Sequence, residues 1–323
     1  MPAYFLIAVS TRENLIKCIQ HGLAGFPRSG PGLWAYLDIQ AGDYVSFLRG
    51  AKVRNLYRVE EKRAYHDASS LPPWPLLRFR SGKVYDFAYR LFLDPVKAFD
   101  EPIARREFQY IAEDLLLRGG YGKSHFQADK LTFHWVSGLE GESHPLVERL
   151  DLPTSDLVPR FTLGEGAGSA VKLQELVLQA AIRRCLSSTD EGPELLRRLG
   201  VMDTEEWEFL SEKALESGHV DIVAKETYPE GRSKMIPIEV KVGKLMPKDV
   251  KQAMSYVSEL GQSAAGAALI GSGVSAKTLE AARFGSVAPF IFSHPDLSDK
   301  TFEEIAGGLK IRPPTDPLVE EGK

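Results

Sequence analysis

The chain has 323 residues, 43% hydrophobic and 26% charged, with a net charge of −4. This excludes fibrous and disorder-dominated classes, and no apolar run approaches the roughly 20 residues of a helical membrane span, so the length suits two globular domains. Residues 1–136 hold 19 Lys and Arg against 14 Asp and Glu, leaving 21 against 30 for the remainder; the basic excess in front fits a polyanion such as nucleic acid, or simply a solvated surface.

In chain order, "MPAYFLIAVS" lacks the basic flank and cleavage site of a leader, which predicts a cytoplasmic chain with no membrane partner. "YFLIAV" reads as a strand, and "TRENLIKCIQHG" as a helix capped by Ser10 or Thr11 and stopped at Gly22. Strand-like "GLWAYL", "DYVSFLRG" and "NLYRVEEKRAY" follow, then a strand "VYDFAYRLFLDPV" and a helix "RREFQYIAEDLLLRG". Residues 1–137 therefore read as an α+β module around a curved sheet or small barrel. Residues 138–168 gather Gly, Pro, Ser and acids without periodicity and read as a linker. Cys18 and Cys185 lie far apart in helix-like segments and read as core thiols.

A second domain, residues 169–311, opens with the amphipathic helix "VKLQELVLQAAIRRCLS", which contains Glu175. "GPELLRRLG" and "DTEEWEFLSEKALES" read as helices. Strand "GHVDIVAKE", turn "YPEGRSK", strand "MIPIEVKV" and helix "PKDVKQAMSYVSELG" come next. Strand "AAGAALIGS", helix "SAKTLEAARFG" and strand "VAPFIFS" complete an alternation that predicts a mixed sheet with flanking helices. Residues 312–323 read as a disordered tail.

Chemistry concentrates in the two strands around that turn. Strand period is two, so Glu239 and Lys241 project from one face while Ile238, Val240 and Val242 pack on the other. Charge beside a core is costly without partners or a task. A hairpin sets Asp221 beside Glu239, and two such carboxylates make an oxygen-ligand site for Mg²⁺ or Mn²⁺, with the Lys241 ammonium able to orient or activate water for phosphodiester cleavage. A solvated or buried ion pair is the plainer alternative. Gln252 and Tyr256, four apart, share a helix face.

Asp221 followed by Glu239-x-Lys241 resembles the PD-(D/E)XK nuclease superfamily, although His219 and Val220 stand where its naming proline would. The Gln252-x-x-x-Tyr256 helix resembles the RecB-like branch, and residues 170–293 are similar to the catalytic domain of NucS-type endonucleases. This implies catalytic positions at Asp221, Glu239, Lys241, Gln252 and Tyr256, metal ligands at Asp221 and Glu239, and an additional acid at Glu175, which reads equally as a helix-surface charge.

The first domain also carries a resemblance. "AYFLIAVSTRENLIKCIQHG" with "GLWAYL" is similar to the opening of a YTH domain, and "GDYVSFLRG" and "DFAYRLFLDPVKAFDEP" resemble the related EVE and PUA-like folds. The likeness implies a modified-base reader in which Trp34 and Trp74 cage a flipped methylated base, 6-methyladenine foremost, while Ser10 and Thr11 bond its edge. Core placement of both tryptophans is the alternative. Arg49, Arg54, Arg80 and Lys123 are the DNA-backbone candidates, the last within glycine-rich "RGGYGKSHF", a phosphate-contacting loop or a surface turn. The two resemblances together imply a modification-dependent restriction endonuclease whose partner is DNA carrying a modified base. The runner-up is a structure- or mismatch-directed endonuclease, followed by a non-catalytic reader of modified RNA or DNA. One site per chain leads us to expect a homodimer, at least on DNA.

Overall fold

The computed structural model describes residues 2–74, 76–78, 82, 84–112, 123–162, 171–172, 174–228, 233–296 and 298–314. The chain divides into two compact units, residues 2–158 and the residues from Pro159 onward. Both are mixed α+β. Among the described residues no helix is long and apolar enough to cross a membrane.

The first unit is built on strands β1 (Tyr4–Ala8), β2 (Leu23–Phe26), β3 (Tyr44–Arg49), β4 (Lys52–Ala64), β5 (Tyr89–Phe99), β6 (His125–Ala128) and β7 (Gly141–Ser143). With the short strand Ile103–Ala104 they form one eight-stranded sheet in the order β7-β5-β4-β3-β1-β6, β2 pairing with β5 and the short strand with β4. Among the described strands of this sheet, β1 and β3 pair in parallel and the other pairings are antiparallel. The long β4 has irregular register against both neighbours. Such bulges bend a strand and increase its twist, and the sheet curls into a half-barrel.

Helix α1 (Arg12–His21) starts where Thr11 Oγ1 accepts from the Asn14 amide at 3.1 Å. It stops at Gly22 in the left-handed region, φ 55°, where a Cβ would meet the Leu93 carbonyl oxygen at 2.8 Å. "GLWAYL" is not a strand. It lies in helix α2 (Gly30–Asp38), capped by Ser29, whose hydroxyl accepts from the Gly32 amide, with proline in its first turn. Trp34 through Asp38 are buried consecutively, so no polar face is left to reveal the helical period. Helix α3 (Lys130–Ser137) is capped by Asp129.

Three further expectations change. The strand foreseen over 84–96 is interrupted: Val84–Tyr85 pair with Leu77–Arg78, and only Tyr89 onward joins the main sheet. The helix foreseen over 105–119 starts later: a 3-10 turn at Arg105–Glu107 precedes it, residues 109–112 are helical as foreseen, and residues 113–122 lie outside the described residues. The expected linker is held in place over much of its length. Its β7 pairs with β5, the Glu148 amide donates to Gln20 O at 2.8 Å, and the Asp156 and Leu157 amides donate to Ala64 O. Backbone bonding of this kind leaves no side-chain periodicity to read.

The second unit has a six-stranded sheet, β8 (Trp207–Leu215), β9 (Gly218–Glu226), β10 (Met235–Val240), β11 (Ala267–Gly271), β12 (Val287–Ser293) and β13 (Lys310–Arg312), in that spatial order. β10, β11 and β12 run parallel and the remaining pairings are antiparallel. Every residue of β11 is buried, as a strand covered on both faces requires. The helices are α4 (Glu175–Ser188), α5 (Glu191–Arg198), α6 (Pro247–Leu260), α7 (Ala276–Arg283) and α8 (Phe302–Gly308). "WEFLSEKAL", helical by its local sequence, is strand β8 instead. Its Glu, Lys, Ala and Leu favour helix, but eight register pairs with β9 outweigh that weak preference. Ordered chain also extends into the expected tail, since β13 ends at Arg312; residues 315–323 and the turn residues 229–232 lie outside the described residues.

Candidate active site and nucleic-acid surface

The β9–β10 hairpin places Asp221 opposite Glu239, in the register that pairs Ile222 with Ile238. Alternation turns Ile236, Ile238 and Val240 into the core, each 0% exposed, and leaves Glu239 on the other face with Lys241 just beyond the strand end. Helix α4 packs across this face and contributes its first residue. Lys241 Nζ donates to Glu239 Oε1 at 2.8 Å and to Glu175 Oε1 at 3.0 Å. The Asp221 carboxylate is held at both oxygens: Oδ2 accepts from the Val240 main-chain amide at 2.7 Å, and Oδ1 from Gln179 Nε2 at 2.7 Å.

Two carboxylates thus bond one ammonium, and the Asp221 carboxylate lies opposite Glu239 on the neighbouring strand. Burial raises Asp221 well above the usual carboxylate range, and the Glu239 charge adds to the rise. Burial raises Glu239 too, against the opposing pull of Lys241. For Lys241 burial alone would lower the pKa, but its bonds to Glu239 and Glu175 prevail and hold it above its ordinary value, so it is an ammonium at neutral pH. Glu239 is only 2% exposed, and its Oε2 is buried without a hydrogen-bond partner among the described residues. An orphaned anionic oxygen beside a second carboxylate is what a hard divalent cation requires.

Among the described residues no group of three or more His, Cys, Asp or Glu side chains is arranged to hold a metal alone. Two carboxylates suffice for Mg²⁺, which keeps much of its water. Asp221 and Glu239 fit that donor set.

Gln252 and Tyr256 stand behind this cluster. Gln252 Nε2 donates to Tyr256 Oη at 2.6 Å, and Tyr256 Oη donates to the His219 carbonyl at 2.9 Å, fixing β9 two residues before Asp221. Burial pushes the Tyr256 hydroxyl up to about 12, so it remains a donor. At Gly218, φ 147°, a Cβ would come within 3.2 Å of that hydroxyl, and glycine permits the close approach. His219 itself is exposed. Gln179 is a site residue that sequence reasoning missed. Its signal is the Glu175-x-x-x-Gln179 spacing, which puts both on one face of α4.

In the first unit Trp34 is 6% exposed and Trp74 3%. Trp34 meets His125 edge-on at 4.7 Å and lies under Lys123 Nζ at 5.1 Å, while His125 Nε2 and the Asp38 carboxylate sit 2.9 Å apart in the core. Trp74 packs on Phe87 at 5.2 Å and on Arg90 at 5.5 Å, and its Nε1 is buried without a partner among the described residues. Arg90 is wholly buried, its guanidinium donating to the carbonyls of Leu71, Pro72 and Phe87. Thr11 is spent on the α1 cap, and Ser10 is exposed beside it.

The basic candidates separate. Arg49 and Arg54 are exposed on the β3–β4 hairpin, flanking exposed Lys52. Arg80 lies outside the described residues. Lys123 is 6% exposed, its ammonium over the rings of Trp34 and Phe126, which corrects its expected place on a phosphate-contacting loop. The segment that follows it is strand β6, antiparallel to β1, rather than a loop.

Fold and cluster together define a mixed α+β chain with a carboxylate–lysine centre on a mixed sheet. No family model matches the chain, and no curated protein matches it. Among solved structures it is similar to human THYN1 in complex with 5-methylcytosine-containing DNA, at 10% identity and a TM-score of 0.28, covering 42% of this chain and 96% of that one. It is also similar to the MspJI restriction endonuclease with a 27-mer oligonucleotide, at 11% identity and TM-score 0.21, over 94% and 75% of the two chains. The DNA modification-dependent restriction endonuclease AspBHI is similar at 15% identity and TM-score 0.20, over 85% and 66%. Likeness this distant supports no functional step, so any assignment of chemistry rests on the geometry of this chain's own residues.

Proposed function

We propose that the chain is a divalent-metal-dependent endonuclease for DNA carrying a modified base, with cleavage in the second unit and base reading in the first. The observation that carries the hydrolytic reading is the orphaned Glu239 Oε2 beside Asp221, with Lys241 and Glu175 closing the group. Asp221 and Glu239 would hold Mg²⁺ or Mn²⁺, which supplies Lewis acidity for phosphodiester hydrolysis. Lys241, an ammonium on the same face, brings positive charge toward a phosphate or a water. Gln252 and Tyr256 keep the Asp221 strand in register with it.

The reader half of the proposal draws on the unpartnered Trp74 Nε1, a buried donor that a base acceptor would satisfy, and on the exposed cations Arg49 and Arg54 for backbone phosphates. The specific form, a methylated base, 6-methyladenine first, flipped between Trp34 and Trp74, requires both buried rings to be uncovered when DNA binds. A second reading, an endonuclease directed by distorted or mismatched DNA, gains from the burial of both tryptophans, since neither ring presents an open face.

Paired duplexes with and without methylated adenine or cytosine, together with an unmethylated duplex carrying a mismatch, incubated with Mg²⁺ or Mn²⁺, test both. Metal-dependent cutting confined to one methylated duplex is expected. Cutting that survives excess EDTA would overturn the metal centre, and equal cutting of plain mismatched duplex would favour the second reading.

A further inference from the structure

Gln179 ties helix α4 to the Asp221 carboxylate. It lies 7% exposed among Val177, Leu178, Ala180 and Ala181, all buried, yet it is polar. Its Nε2 donates to Asp221 Oδ1 at 2.7 Å while the Val240 amide holds Oδ2, so helix and strand grip the two oxygens separately. One helical turn earlier Glu175 engages Lys241 from the same face. A buried amide can be replaced by an apolar residue of similar volume at little cost in packing. What such a replacement forfeits is the direction of the carboxylate.

We infer that Gln179 is a positioning residue for the metal centre, orienting Asp221 so that it and Glu239 receive one divalent cation together. The inference rests on Asp221 and Glu239 being the cation's side-chain ligands. A carboxylate keeps further lone pairs after accepting one bond at each oxygen, so both anchors are compatible with ligation. Outer-shell partners of ligating carboxylates typically contribute 10–100-fold to metal affinity.

The test is Mn²⁺ binding to the full chain by calorimetry, beside melting curves and single-turnover DNA cleavage across Mn²⁺ concentrations. Wild type should bind Mn²⁺, and Asp221→Ala should not. Gln179→Met, which keeps volume and removes the donor, should fold with a modestly lowered melting temperature, because one Asp221 oxygen is left unpaired, and bind Mn²⁺ at least about tenfold more weakly. Its cleavage should recover towards the wild-type rate at saturating Mn²⁺, because orientation and not chemistry is lost. Gln179→Asn, with the amide withdrawn by one methylene, should behave likewise and serves if the first variant unfolds. Wild-type Mn²⁺ affinity in a folded variant overturns the inference alone, and failure of both variants to fold assigns Gln179 to stability and also overturns it. A wild-type chain that binds no Mn²⁺, or Asp221→Ala binding it unchanged, overturns the metal reading together with the inference.

Discussion

Glu239 combines near-complete burial with an oxygen that bonds to nothing among the described residues. An ordinary structural ion pair would satisfy both oxygens, because the unpaired one forfeits its solvation without return. Removing either proposed ligand should therefore end catalysis: Asp221→Ala or Glu239→Ala is expected to abolish cutting while leaving DNA binding near wild type, checked by cleavage and binding titrations in parallel. Lys241→Ala should cut at least tenfold more slowly, a barrier increase of about 1.4 kcal/mol. Unchanged single-turnover rates would reduce Lys241 to a counter-charge for Glu239. For the tryptophans, burial predicts destabilisation: Trp34→Ala and Trp74→Ala should each cost about 3–5 kcal/mol. A variant that keeps its melting temperature but loses discrimination between methylated and plain DNA would instead establish an aromatic cage.

At the scale of elements, β9, β10 and α6 form a unit in which a helix holds a strand by one hydroxyl. Tyr256→Phe deletes the bond to the His219 carbonyl and leaves Gln252 without its acceptor. The expected stability loss is about 1 kcal/mol for one hydrogen bond, with a drop in cleavage rate as the Asp221 strand loosens; unchanged cleavage kinetics would make the tyrosine a packing residue only. These elements are legible in the sequence because alternation in "IPIEVKV" and the four-residue step from Gln252 to Tyr256 survive as pattern. The misread elements, α2 and β8, show why others are not. Trp34–Asp38 is covered on all sides and erases its period, whereas "WEFLSEKAL" uses helix-favouring residues in a strand fixed by its pairing with β9. The Glu175-x-x-x-Gln179 spacing places Gln179 on the site-facing side of α4, but its partner is 42 positions away, so the spacing alone does not reveal what it holds.

Across the whole molecule, electrostatics in the second unit ties stability to pH and, on the proposed function, to metal. Asp221 and Glu239 both have raised pKa values in the folded chain. Protonated, they favour folding fully below their unfolded values, 3.8 and 4.5, and that contribution is lost as pH rises through the folded values. Other acids, Glu259, Asp296 and Glu304 among them, are lowered and act in the opposite sense, so the contribution is read by difference. In EDTA the melting temperature of wild type relative to Asp221→Asn is expected to decline upward from about pH 4, and Mn²⁺ should restore more stability at pH 7 than at pH 4, where protons compete for the same oxygens. Scanning calorimetry at both pH values, with and without Mn²⁺, decides this; an equal metal increment at both would contradict the assignment. Asp221→Asn should flatten the pH slope.

The main-chain bond from Val240 to Asp221 has a consequence for assembly. Strand pairing that slips by a single residue would exchange Glu239 for an aliphatic neighbour and break that bond at once, because alternate residues face opposite sides. If the proposed function holds, proofreading of the hairpin is built into the chemistry: a misregistered chain would be compact and still inert. Specific activity in a refolded preparation would accordingly count correctly paired hairpins, a quantity that bulk secondary-structure signals average away.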